Sequence, residues 1–153
     1  MKISKRKIEQ RMERFKGVCR NSGMKLTHQR MEIFREVAKT GDHPDVEKVY
    51  QGVRKRMPTM SLDTVYRTLW LLKDLGLITT LGSSRERARF DANLSQHHHF
   101  VCIRCGLTRD FYSDELDELR LPDSVTAFGY VEKTQVEVKG ICLKCNAEGK
   151  KPS

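Results

Sequence analysis

Two Cys-x-x-Cys pairs, Cys102 with Cys105 and Cys142 with Cys145, stand 36 residues apart, and no other feature limits the fold of this chain so tightly. The spacing inside each pair lets both sulfurs of a tight knuckle face one ion, and two knuckles supply the four thiolates that tetrahedral zinc prefers. Gly106, directly after the first pair, suits the turn such a knuckle makes. A redox dithiol and buried free thiols are the competing readings. A closed four-cysteine site has no position for substrate, so one structural zinc per chain is expected. Cys19 has no such pair; beside Val18 on the apolar side of a helical stretch, it reads as a buried, inert thiol.

Composition bounds the rest. The N-terminal "MKISKRKIEQRMERFKG" is basic but lacks the apolar core, about 7 to 15 residues, of a signal peptide. No apolar run approaches the roughly 20 residues that span a bilayer. A cytoplasmic protein with reduced cysteines and no membrane partner is expected. The 153 residues suit one ordinary domain or two small ones, and the charge of +9, from 29 basic against 20 acidic residues, favours a polyanionic partner over a basic one. A merely solvated surface is the bland alternative.

The first half has helical periodicity. Ile8, Met12, Phe15 and Val18 share a face that Gly23 can end. Thr27 can cap a second helix with Met31, Phe34 and Val37 inward, closed by Gly41. In "HPDVEKVYQGVRKRM", Asp45 can cap a third with Val46, Val49, Tyr50, Val53 and Met57 on one face. Ser61 can cap a fourth, whose stripe is Leu62, Val65, Leu69, Leu72 and Leu75, ended by Gly76. Thr64, Tyr66, Arg67 and Lys73 lie off that stripe. "LITTLGSSRERARFD" then reads as a hairpin turning at Gly82, Ser83 and Ser84, with Arg85, Arg87 and Arg89 alternating onto one side. Helices followed by a basic hairpin suggest a winged helix-turn-helix that binds double-stranded DNA; an ordinary helical bundle is the alternative.

Beyond about Asn93 the helical period fades. "LTRDFYS", "SVTAFGYVEK" and "QVEVKG" read as strands, with a short acidic helix, "DELDELR", between the first two. The fold class expected is α+β: a winged-helix domain over 1–89, a hinge at 90–94, and a small α/β domain over 95–153 that gains from a metal staple or a partner subunit.

"QHHHFVC" adds a second ligand type. Four thiolates already fill a zinc shell, so the histidines need another explanation. On a strand His97 and His99 share a face and His98 takes the other. With Asp91 upstream and Asp110 on the strand after the knuckle, a histidine and carboxylate set suits ferrous iron, manganese or zinc. Surface or packing histidines are the alternative.

In order and spacing, "GMKLTHQR", "HPDVEKVY", "MSLDTVYRTLWLLKDLGLI", "RFD", "HHHFVCIRCG", "DF" and "GICLKC" resemble the ferric uptake regulator family of metal-dependent repressors over nearly the whole chain. The resemblance implies a homodimer with an N-terminal winged helix, a C-terminal dimerisation domain, a structural zinc and a regulatory metal at the hinge. It assigns His43, Asp91, His97, His99 and Asp110 to the regulatory metal, Fe2+ or Mn2+; His43 enters only through it. It makes 61–76 the recognition helix, with Tyr66 and Arg67 at positions that meet DNA. Ser61 and Thr64 join them as candidates, and Lys25, Arg67, Arg85, Arg87 and Arg89 are candidates for phosphate. No small organic ligand is expected.

Within the family, aspartate at both 91 and 110 resembles the peroxide-responsive branch; iron-uptake members usually carry glutamate at the second. The histidine of a further metal site in many iron-uptake members would fall near Thr134, and none is there. Peroxide-sensing relatives oxidise a ligand histidine, which here would be His43 or His97. Metal binding would select one arrangement of the two domains, and oxidation would release it and the operator. One departure stands out: His28 in "LTHQR" occupies a place usually held by proline, where a first-turn histidine is tolerable; a contact to phosphate is the alternative. The rivals are an iron- or zinc-uptake repressor without a redox step, a metal-dependent hydrolase, and a zinc-stabilised nucleic-acid module that senses nothing.

Overall fold

The structure is a computed structural model that describes residues 2–82 and 84–149. It divides into two compact units, Met1–Leu94 and Ser95–Ser153.

The first unit is built on four helices, α1 (Lys5–Ser22), α2 (His28–Ala38), α3 (Val46–Arg54) and α4 (Leu62–Asp74). Each begins where a side-chain oxygen accepts from a main-chain N–H three residues on: Ser4 from Lys7, Thr27 from Arg30, Asp45 from Lys48 and Ser61 from Thr64. Gly23 ends α1 in the left-handed region, at φ 71°, that its missing Cβ permits. The second helix stops at Ala38 rather than running to Gly41, and Thr40 instead bridges to Lys2. His28 is the first residue of α2 and is exposed, as a first-turn position allows.

The inward faces of these helices form one core around Phe15 and Phe34, whose rings stack with centroids 4.8 Å apart. Full burial of an aromatic or aliphatic side chain of this size is worth about 1.5–3 kcal/mol. Val65, Leu69 and Leu72 of α4 enter this core as their spacing requires, but Leu62 is 44% exposed and Thr68 is buried instead. Leu62 is the first helical residue, whereas Thr68, three residues after Val65 and four before Leu72, shares their face. Cys19 is also buried here, and burial pushes its thiol upward, as an inert core cysteine requires.

The hairpin forms, but it is shorter than the alternating arginines imply. Strands β1 (Thr79–Leu81) and β2 (Arg89–Asp91) pair antiparallel with Thr79 opposite Asp91 and Leu81 opposite Arg89. Arg85 and Arg87 therefore lie in the connecting loop, and only Arg89 is on a strand. The loop turns through Gly82 at φ 110°; Ser83, expected in that turn, lies outside the described residues.

In the second unit β3 (His98–Cys102) is the central strand, antiparallel to β4 (Thr108–Phe111) and parallel to β5 (Glu137–Gly140). The acidic helix is a single turn, α5 (Asp114–Asp117). "SVTAFGYVEK" is not a strand: after Pro122 it begins as the short helix α6 (Asp123–Thr126) and continues without regular structure. It joins no strand pairing among the described residues, and Phe128 and Tyr130 are left 90% and 91% exposed. The last element, α7 (Leu143–Ala147), opens at Cys142, whose sulfur caps the N–H of Cys145. The buried core of this unit is Cys102, Cys142 and Cys145, with Phe100, Leu107 and Ile141 packed against it.

Candidate metal centre

The segments that leave the parallel neighbours β3 and β5 at the same end of the sheet bring the four sulfurs together. Cys102 ends β3, Cys105 completes its knuckle, and Cys142 and Cys145 open α7; all four sulfurs lie within 4.8 Å of one another. Cys105 Sγ and Cys142 Sγ are 3.8 Å apart. Four ligands about 2.3 Å from one tetrahedral zinc would stand about 3.8 Å from each other, so the cluster fits a zinc site. The N–H of Cys142 donates to Cys102 Sγ at 3.3 Å and that of Cys145 to Cys142 Sγ at 3.5 Å. Main-chain N–H groups of Cys105 and Cys142, the leading influence, pull the Cys102 thiol down to about 6. Burial first, and then the neighbouring sulfurs, push Cys145 up to about 12. Sulfurs this close resist full ionisation on their own; a bound dication supplies the opposing charge.

The same sheet positions the nitrogen and oxygen donors. Register places His99 opposite Asp110 across the β3–β4 ladder. His99 Nε2 lies 3.3 Å and His97 Nε2 3.7 Å from Asp110 Oδ1, and the two Nε2 atoms are 3.1 Å apart. Ligands at about 2.1 Å and right angles on one ion stand about 3 Å from each other, so these three donors fit a shared metal. His97 Nδ1 meets the Ser95 carbonyl at 2.6 Å; a carbonyl only accepts, so Nδ1 carries the hydrogen and Nε2 keeps its lone pair. His98 does the reverse. Its Nδ1 accepts from the Val136 N–H at 3.1 Å, so Nε2 carries the hydrogen and donates to Asp117 at 2.8 Å. His98 thus ties β3 to α5 and to the approach of β5, on the face away from His97 and His99.

The first unit holds its own pair. His43, just before α3, takes a left-handed backbone at φ 53°, and its Nε2 is 3.3 Å from Asp91 Oδ2. The other oxygen of Asp91 accepts from the Asn93 N–H at 2.8 Å, which orients the carboxylate. Both residues are buried.

The model of the ferric uptake regulator family matches residues 21–146. The chain belongs to the ferric uptake regulator family. As a member it is a metal-responsive, DNA-binding repressor with a helical N-terminal domain and a small α/β C-terminal domain. It is 33% identical over 143 residues to a peroxide-responsive repressor from Staphylococcus epidermidis, covering 93% of this chain and 95% of that one. The ferric uptake regulator of Helicobacter pylori shares the fold at a TM-score of 0.73 and 23% identity, over 95% of this chain and 97% of that one. The iron-bound regulator of Francisella tularensis matches at 0.67 and 25%, over 81% and 96%.

In this family member α4 carries the candidates for DNA contact. Arg67 is exposed and pairs with Asp63 one turn before it at 3.1 Å; at the surface such a pair holds little energy and opens readily. Tyr66 accepts a hydrogen bond from Arg85 Nε at 2.9 Å, and the Arg85 guanidinium lies 4.2 Å from the centre of the Trp70 ring. Sequence reasoning did not single out Trp70, whose place beside the hairpin depends on how the loop folds back. Lys25 and Arg87 are exposed in loops. Arg89 is used otherwise than expected: its Nε and one Nη donate to the His43 and Asp42 carbonyls, both at 2.8 Å.

Ser61 and Thr64 are tied to each other, Oγ to Oγ1 at 2.8 Å, and Ser61 Oγ caps Thr64 N. Ser61→Ala is expected to lower stability by about 1 kcal/mol, seen as a drop of a few degrees in the melting temperature. An unchanged melt would mean that the cap contributes nothing to α4.

Proposed function

We propose that this protein is a cytoplasmic, peroxide-responsive transcriptional repressor. In this reading one regulatory ion, Fe2+ or Mn2+, takes His43 and Asp91 from the first unit and His97, His99 and Asp110 from the second. The observation that carries it is the convergence of His97, His99 and Asp110 on one point, with the His97 Nε2 lone pair turned toward it. Aspartate at 91 and 110, and the staphylococcal relative, support the peroxide branch. So does Thr134, which stands where many iron-uptake members have a histidine and whose carbonyl accepts from Gln96. A bound ferrous ion would supply electrons for peroxide cleavage, with one oxygen added to His43 or His97.

The chain's own residues then do the switching. Ligands drawn from both units restrict how the units can move, and the added oxygen weakens one of them, so the restriction lapses. The domain reading follows: 1–89 binds DNA, 90–94 is the hinge, and 95–153 forms the homodimer. Exposed Phe128, Tyr130 and Val138 support a second copy against the C-terminal unit. A two-fold dimer would set two recognition helices about 34 Å apart, on successive major-groove faces. Arg67, Arg85, Arg87 and Lys25 would supply salt-dependent contacts to phosphate, with Tyr66 and Arg67 nearest the bases. No catalytic residues are assigned, because the role is regulatory.

Anaerobic gel shifts with iron or manganese, before and after a peroxide pulse, test the proposal. Iron-loaded protein is expected to release its operator and to gain a single oxygen on His43 or His97 by mass spectrometry, while manganese-loaded protein stays bound. Continued binding by the iron form after the pulse would leave a metal-uptake repressor without a redox step.

A further inference from the structure

Arg89 is the basic residue of the hairpin that does not face outward. Strand β2 reads Arg-Phe-Asp, and its period of two divides the work. Phe90 is fully buried in the helical core, while Arg89 and Asp91 share the opposite face. Both reach the turn before α3. Asp91 faces the His43 ring at 3.3 Å, and Arg89 grips the main chain beneath that ring, at the carbonyls of Asp42 and His43. A further tie holds the same turn to the strand: Asp45 and Arg89 form an antiparallel bridge, through which the Phe90 N–H donates to the Pro44 carbonyl at 2.9 Å.

This anchoring has a specific object. His43 is the one non-glycine residue with positive φ among the described residues, a conformation that persists only where its surroundings impose it. A planar guanidinium can place two N–H groups on two adjacent carbonyls at once; an ammonium is a point charge and cannot reproduce that fork.

The geometry points to Arg89 as a positioning residue for the regulatory metal, holding the strained His43 turn so that the imidazole and Asp91 present their donors together. This inference rests on His43 being a ligand, as proposed above. It removes Arg89 from the phosphate contacts and gives one strand both the carboxylate ligand and the clamp on its partner. Groups that orient metal ligands typically change affinity by about 10- to 100-fold when lost.

The test is an anaerobic Mn2+ titration of full-length, zinc-loaded protein, comparing wild type with Arg89→Lys, Arg89→Ala and His43→Ala, followed by DNA binding at saturating Mn2+ across a salt series. Both Arg89 variants are expected to bind Mn2+ about 10- to 100-fold more weakly. Arg89→Lys at saturating metal is expected to keep the wild-type salt slope. Normal Mn2+ affinity in both Arg89 variants with a loss in His43→Ala would overturn the positioning role. Normal affinity in all three would instead overturn His43 as a ligand. If Arg89→Ala melts early, Arg89→Lys decides: wild-type Mn2+ affinity in that variant refutes the fork.

Discussion

If the four-sulfur cluster holds zinc, as its geometry fits, removing the ion with a strong chelator or by Cys142→Ala is expected to unfold the Ser95–Ser153 unit while the four-helix unit keeps its protection from hydrogen exchange. The asymmetry follows from what each core contains. The first unit buries its own aromatic and aliphatic cluster around Phe15, Phe34 and Leu69. Among the described residues, the apolar core of the second is three buried cysteines with Phe100, Leu107 and Ile141 packed against them. A unit of that size has little apolar area to offset its chain entropy. Structural zinc contributes on the order of 10–16 kcal/mol in small zinc domains, several times what such a core supplies by itself. Cys142→Ala should be more damaging than Cys105→Ala, because Cys142 Sγ also caps α7. Peptides from β3, β4 and β5 should exchange at near-coil rates after chelation, and retained protection there would show that the sheet stands without metal.

A comparably large effect is expected at the nitrogen and oxygen donors. Asp110→Ala should weaken regulatory metal binding by more than about 100-fold, beyond the loss typical of a residue that only orients a ligand. Asp110 Oδ1 is the atom that the His99 and His97 imidazoles approach, at 3.3 and 3.7 Å, and its loss removes one of the two carboxylate charges in the proposed five-ligand set. To carry a two-state protein from one part in a hundred to ninety-nine, a ligand must prefer one state about 10⁴-fold, so that loss uses up half or more of the exponent. Metal-dependent operator binding should largely vanish at metal concentrations that saturate wild type, while the zinc content stays at one per chain. Fluorescence anisotropy on labelled operator, with metal analysis of the same sample, reads both. Asp117→Ala is the control: it removes the His98 partner on the other face and should leave metal affinity nearer wild type. If Asp110→Ala instead responds to metal like wild type, the aspartate is not a ligand.

Local rules carried much of this architecture. The capping residues Thr27, Asp45 and Ser61 begin their helices as hydrogen-bond chemistry dictates, and the apolar stripes of α1 to α4 meet in one core. Strand parity alone separated His97 and His99 from His98, and the doubled cysteine spacing announced a four-sulfur cluster before any fold was known.

Other features depend on which distant segment arrives beside which. The stretch around Val125 has strand-like composition, but behind Pro122 it folds as the helical turn Asp123–Thr126, and no described strand pairs with it. The hairpin arginines alternate in sequence, yet the ladder closes after three pairs and leaves Arg85 and Arg87 in a loop. His98 acquired its work from Asp117 and Val136, residues remote in the chain. Strand alternation grouped Arg89 with Arg85 and Arg87, whereas the fold carries its guanidinium to the main chain of His43 and Asp42. Residue type and spacing determined which atoms could bind a metal, because coordination chemistry depends on the donor itself. Only the tertiary structure decided which side chains hold those donors in place, since that depends on contacts between segments no local pattern connects.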